Sequence, residues 1–263
     1  VTGRTSFETI LFEVGDDHVA TITLNRPDRL NAFNRQMAEE VATAWRIVRD
    51  EDAVHAAVLR AAGDRAFCTG IDIREGAWWS DVNVWNQVDP GELLGPKHHR
   101  VWKPVVAAVH GMCAGGAQYF VNEADIVICS EDATFFDPHA NGGIVSALEP
   151  IGMLRRGVPL GDVLRWALMG SEERITAGTA LRLGLVTEVV PRDRLWERAH
   201  RIAADIASRR PEAIQGTVRA IWESLDMTRT TALQTGLSYT HIGNLGAAER
   251  GDVPGVRREP DLR

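Results

Sequence analysis

The stretch GMCAGGAQYF, residues 111–120, sets two adjacent glycines ahead of a helix-like run. Glycines there let the backbone come close to a bound group, and N–H groups at a helix start attract negative charge. A second glycine turn lies in FCTGIDIRE, residues 67–75. Yet the residues after Gly116 are Ala117, Gln118 and Tyr119, none of them an acid or a strong base. Tyrosine, with an unperturbed pKa near ~10, is a poor base at neutral pH. Glu123 stands four residues beyond Tyr119 and shares its helix face. The principal proton donor or acceptor must be sought outside the glycine turn.

Strand, turn and helix recur in the elements that carry these turns. TILFEVGDDHVATITLNRP reads as a hairpin turning at GDD. In NRQMAEEVATAWRIVRD, Met37, Val41, Ala44, Trp45 and Val48 fall at helical spacing. HAAVLRAAG and KPVVAAVHG read as buried strands, FCTGIDIRE as a strand end and glycine turn into a helix, and IVICSEDATFF as two short strands. This alternation predicts an α/β fold. The division falls at about residue 192: 1–192 form the core, and 193–263 form an all-helical section ending in a polar, proline-containing tail. The irregular segment 76–97 holds Trp78, Trp79 and Trp85, which either pin a surface loop or wall a large apolar pocket.

Composition narrows the function classes. The chain has 263 residues, is 44% hydrophobic, and carries a net charge of −7 with no basic block, so nucleic acid is not an expected partner. Cys68, Cys113 and Cys129 show no CxxC spacing, which argues for buried thiols in a reducing compartment. The dispersed histidines predict no metal site. No apolar run approaches the ~18 residues of a membrane span, and no signal peptide is read at the N-terminus; a soluble, cytoplasmic protein is expected.

Four segments, in this order, carry a family resemblance: NRPDRLNAF at 25–33, FCTGIDIRE at 67–75, KPVVAAVHGMCAGGA at 103–117 and EADIVICSEDATF at 123–135. ITAGTALRLGLVTEVVP at 175–191 extends it. Together they resemble the crotonase (enoyl-CoA hydratase/isomerase) superfamily. The resemblance implies a spiral of ββα units with a C-terminal helical section for oligomerisation or as a lid, a homotrimer or dimer of trimers, and an acyl-CoA substrate. Coenzyme A then arrives as part of the substrate, with no separate cofactor. It places the two N–H donors of an enolate-stabilising oxyanion hole at Ile71 and Gly116, and coenzyme A contacts at Arg29, Leu30 and Arg74. An arginine suits a phosphate.

The sequence departs from that pattern where hydratases carry two glutamates around a water. The aligned positions are Tyr119 and His139. Histidine titrates near ~6.5 and can serve as a general base; tyrosine can donate a hydrogen bond or a proton, or simply form pocket wall. The segment ATFFDPHANGGIV, 133–145, resembles the ring-opening hydrolase branch typified by 6-oxocamphor hydrolase, where a histidine works with a downstream aspartate. The aligned acidic position here is Leu148, with Glu149 next. Glu149 is thus either the partner of His139 or a helix-start acid, and Asp137 and Glu123 are further acids within reach. Three readings follow. The first is an acyl-CoA enzyme working through an enolate, in which hydrolytic carbon–carbon cleavage or other non-standard chemistry is favoured over simple hydration and crotonyl-CoA is turned over poorly. The second is a coenzyme A-independent hydrolase of a cyclic β-diketone, and the third a non-catalytic acyl-CoA binding protein.

Overall fold

The computed structural model describes residues 6–76, 78, 85–86 and 89–248. Two apolar strands, β2 (Val19–Leu24) and β3 (Ala56–Ala61), pair in parallel, and β1 (Ile10–Val14) closes the predicted hairpin antiparallel to β2. With β5 (Val105–Val109), β7 (Ile126–Ser130) and β10 (Glu188–Val190) they form a six-stranded sheet ordered β1-β2-β3-β5-β7-β10. The inner strands β2, β3, β5 and β7 are buried on both faces, which is why they read as nearly continuous apolar runs, while edge strand β1 alternates. Alternate residues serve different cores. In β5, Val105, Ala107 and Val109 pack on the side of helix α1 (Arg35–Asp50), with its Val41, Trp45 and Val48. Val106 and Ala108 pack instead against Leu195, Ala199 and Ala203 of helix α7 (Leu195–Ala207). Asn34 starts α1 by accepting the Met37 N–H at 3.0 Å.

A second sheet, ordered β4-β6-β8-β9, contains β4 (Ala66–Cys68), β6 (Met112–Ala114), β8 (Thr134–Phe136) and β9 (Ile175–Thr176). Its first three strands run parallel. Each is only three residues long, so their C-terminal ends bring residues 69–71, 115–116 and 137–139 side by side. Beyond the sheets lie α2 (Gly91–Leu94), α3 (Gln118–Glu123), α4 (Leu148–Arg155), α5 (Leu160–Met169) and α6 (Ala177–Leu183).

The chain divides into two compact units, the first ending at Arg209 and the second starting at Arg210. The predicted boundary at 192/193 is displaced because α7 completes the core on one face of the larger sheet. The second unit is built on α8 (Pro211–Ser224) and α9 (Arg229–Ala248). Tyr239 of α9 donates to Glu223 of α8, which also accepts from Arg219 at 2.8 Å. The helix expected after Gly70 is a single 3₁₀ turn, Ile73–Glu75. The predicted tail past Ala248 lies outside the described residues. Among the described residues no helix is long and apolar enough to cross a membrane, and no group of three or more metal-ligating side chains occurs.

Candidate active site

The three parallel strand ends of the smaller sheet build the site. Ligands collect at such carboxyl ends, where loops leave the sheet and backbone polar groups are free. After β4 the chain turns at Gly70, with φ +85°, and Ile71 bridges to Phe33. After β6 it turns at Gly115, φ +52°, into the 3₁₀ turn Gly115–Ala117 that leads α3. The two turns touch: a Cβ on Gly70 would stand 3.1 Å from both Ala114 O and Gly116 N. Flanking residues Gly70 and Asp72 engage Phe33, through Phe33 N to Gly70 O and Asp72 N to Phe33 O, each 2.8 Å. These bonds fall on Gly70 and Asp72 and leave the Ile71 N–H outside the bridge to Phe33, while the Gly116 N–H lies in the short 3₁₀ turn Gly115–Ala117 that starts beside it.

After β8 come Asp137 and His139. A Cβ on Gly115 would lie 3.6 Å from His139 Cε1, so the imidazole stands directly beside the second glycine turn. Asp137, 0% exposed, accepts from His139 Nδ1 and Ser146 Oγ, and from the His139 backbone N–H at 3.1 Å. Burial pushes the Asp137 carboxyl up, but the hydrogen bonds from His139 and Ser146 outweigh it, and the group lies below the usual carboxylate range. An ionised Asp137 fixes the proton of neutral His139 on Nδ1 and leaves the Nε2 lone pair free. The bond to Asp137 raises the affinity of His139 for a proton; burial opposes this, and the charges of Glu149 and Asp89 add to it.

Nε2 faces Glu149 Oε1 at 3.8 Å. Glu149 sits in the first turn of α4, and Asn122 of α3 donates to its backbone carbonyl at 2.8 Å. Burial raises the Glu149 carboxyl above the ordinary range. Tyr119 hydrogen-bonds toward both Glu149 and Asp89. Burial and these two carboxylates raise its hydroxyl far above the usual phenol value, so it stays a neutral O–H. Its ring packs against Gly91, where a Cβ would meet ring carbons at 2.5 Å.

Not every residue singled out in the sequence joins this cluster. Glu123 points away: its carboxylate accepts the Lys97 and His98 N–H groups at 2.7 and 3.3 Å and covers Gly95. Arg29 and Arg74 are exposed. Leu30, at φ 53°, lines a cleft of about 330 Å³ with Pro27, Ala62 and Gly63. Arg26, not singled out in the sequence, links the first two motif segments by pairing with Asp72 and Glu75, each at 3.0 Å. Trp78 packs by α1, under the Arg35 guanidinium at 5.6 Å, while Trp85 is 90% exposed. Trp79 lies outside the described residues. Asp89 and Ser146 were not legible as site residues; neither belongs to a motif.

The sequence profile described as enoyl-CoA hydratase/isomerase matches residues 15–241. The chain belongs to that family. Members of the enoyl-CoA hydratase/isomerase family similar to it include the (E)-benzylidenesuccinyl-CoA hydratase of Thauera aromatica, 31% identical over 86% of each chain. Another is the short-chain-enoyl-CoA hydratase of Clostridium acetobutylicum, 33% identical over 82% of each. Among solved structures, an enoyl-CoA hydratase/isomerase from Mycobacterium paratuberculosis superimposes with a TM-score of 0.86 and 39% identity, covering 94% of this chain and 95% of that one. The expected crotonase-type α/β architecture with a C-terminal helical section is thereby established.

Proposed function

We propose that this enoyl-CoA hydratase/isomerase family member uses water as a nucleophile on an acyl-CoA, with His139 as base and Glu149 as acid. The observation that carries this reading is the Asp137–His139 pair, whose free Nε2 faces Glu149 at 3.8 Å. Water held between them would give its proton to Nε2, and the buried Glu149 carboxyl would deliver one to carbon. The adjacent Ile71 and Gly116 N–H groups suit a thioester enolate oxygen.

In the hydrolytic form, the water oxygen bonds to the C3 carbonyl carbon of a 3-oxoacyl thioester while Nε2 takes a proton. The C2–C3 bond then breaks and its electron pair passes through C2 to the thioester oxygen. Glu149 protonates C2, and the proton on His139 returns to Glu149. An acid and a shortened acyl-CoA result, or one ring-opened acyl-CoA from a cyclic substrate. Water addition across an enoyl double bond uses the same groups and is favoured by the hydratase names of its relatives; the likeness of 133–145 to ring-opening hydrolases favours cleavage. Coenzyme A would lie across Leu30 and its cleft, with Arg29 and Arg74 toward the phosphates.

The test is a panel of crotonyl-CoA, aryl-substituted enoyl-CoAs and cyclic 3-oxoacyl-CoAs, with product masses read in H₂¹⁸O. One ¹⁸O in the product of a bulky or cyclic substrate, with slow crotonyl-CoA turnover, is expected. Rapid crotonyl-CoA hydration would overturn the substrate assignment, and cleavage of the free cyclic diketone alone would overturn the acyl-CoA requirement.

Arg74→Ala is expected to weaken coenzyme A binding about tenfold, the loss of one charge-assisted phosphate contact. Calorimetric titration reads this directly, and an unchanged Kd removes Arg74 from the binding surface.

A further inference from the structure

Residues 139–146 form a return loop whose function the base assignment alone does not require. The His139 carbonyl accepts the Gly142 and Ile144 N–H groups, both at 3.0 Å, and Gly143 reverses the chain at φ +64°. Beyond its two chain neighbours, no described residue lies within 4 Å of a Cβ built on Gly143, so the glycine serves the backbone angle. The outcome of this turn is to deliver Ser146, nine residues along the chain, onto Asp137 Oδ2, the oxygen that His139 leaves open.

We propose that Ser146 is a positioning residue that sets the basicity of His139 through Asp137, a role that rests on His139 being the base. The carboxylate has two oxygens. Oδ1 takes both His139 donors and Oδ2 takes the serine. A donor on one oxygen draws charge from the other, so Ser146 weakens the hold of Asp137 on the imidazolium and keeps Nε2 unprotonated to lower pH. It also fixes the carboxylate plane, and with it the ring orientation. The other groups facing His139 are Glu149 from α4 and Asp89 from the segment before α2, with Tyr119 of α3 reaching both. All of these stay in place when Ser146 is changed.

The sign follows. Ser146→Ala returns charge to Asp137, strengthens its bond to His139 and raises the affinity of the imidazole for a proton. A base must be neutral, so the acid limb of the kcat/KM profile moves to higher pH. On that limb the rate falls about fivefold, the size expected for one lost hydrogen bond, while the alkaline plateau is nearly unchanged. Ser146→Thr keeps the donor and restores the wild-type limb.

Titration of ¹³C-histidine-labelled protein by NMR reads His139 without any substrate, with His55, bonded to the Ala207 carbonyl, as an internal control. The proposal expects the His139 midpoint alone to move upward in Ser146→Ala and to return in Ser146→Thr. An unmoved midpoint in the folded variant overturns it. A midpoint that moves while the rate profile stays fixed overturns instead the assignment of His139 as base.

Discussion

His139→Ala lowers kcat by about a thousandfold on the acyl-CoA that the substrate panel identifies. A positioned general base supplies ~10²–10⁴, and no other described residue presents a free basic nitrogen beside Gly115. Glu149 does not replace it: burial favours its protonated form, and the proposed mechanism uses it as the acid. Tyr119 does not either, since its hydroxyl holds its proton throughout the accessible pH range. The variant keeps the Ile71 and Gly116 donors and the Leu30 cleft, so coenzyme A binding stays within about twofold by calorimetry. Asp137 keeps its Ser146 and backbone donors and remains satisfied when the imidazole goes. Stopped-flow or steady-state assay of kcat is the measurement; a rate within tenfold of wild type would remove His139 from the reaction. His139→Gln, which restores a polar group without a titratable base, is expected to match the alanine variant.

The α/β alternation was legible because the inner strands of the larger sheet are buried on both faces. β3 and β5 therefore stand out as apolar runs, and α1 shows its stripe at helical spacing. The two glycine turns were legible for a similar local reason: each lies between a strand and the segment it positions. The partner of His139 was harder to read. Sequence alignment pointed downstream toward residues 148–149, yet Asp137, only two residues upstream, takes Nδ1, and Glu149 faces the opposite nitrogen. That division depends on the return at Gly143 and on Asn122 fixing the first turn of α4, neither of which leaves a periodic trace. Glu123 illustrates the converse. Its spacing from Tyr119 predicts a shared helix face, but α3 is only six residues long and ends there, so the side chain turns to the Lys97 and His98 amides. Helix α4 was legible only at its start, through Glu149 as a helix-start acid, and α5 was not read because Gly157 and Pro159 interrupt the pattern ahead of it.

Gly70→Ala carries the second large effect. It tests the two backbone donors, which no side-chain deletion can remove. At φ +85° an alanine is strained by about 1–3 kcal/mol. Its Cβ would stand 3.1 Å from Ala114 O and Gly116 N, closer than ordinary contact. Relief requires the 69–71 turn to move away from the 114–116 turn, which separates the Ile71 and Gly116 N–H groups. Loss of one well-placed oxyanion donor costs about 10²–10³ in kcat, and that is the fall expected. Strain also lowers Tm, so a control must separate the two effects. Gly184 supplies it: at φ +75° it ends α6, and beyond its chain neighbours no described residue lies within 4 Å of its would-be Cβ. Gly184→Ala therefore carries comparable backbone strain with no change at the strand ends, and should lose Tm while keeping kcat within about twofold. Equal losses of kcat in both variants would mean that activity tracks global stability, and the paired-donor reading of Ile71 and Gly116 would fall. A loss confined to Gly70→Ala, with His139 titrating as in wild type, places the defect at the enolate oxygen and leaves the proton-transfer groups intact.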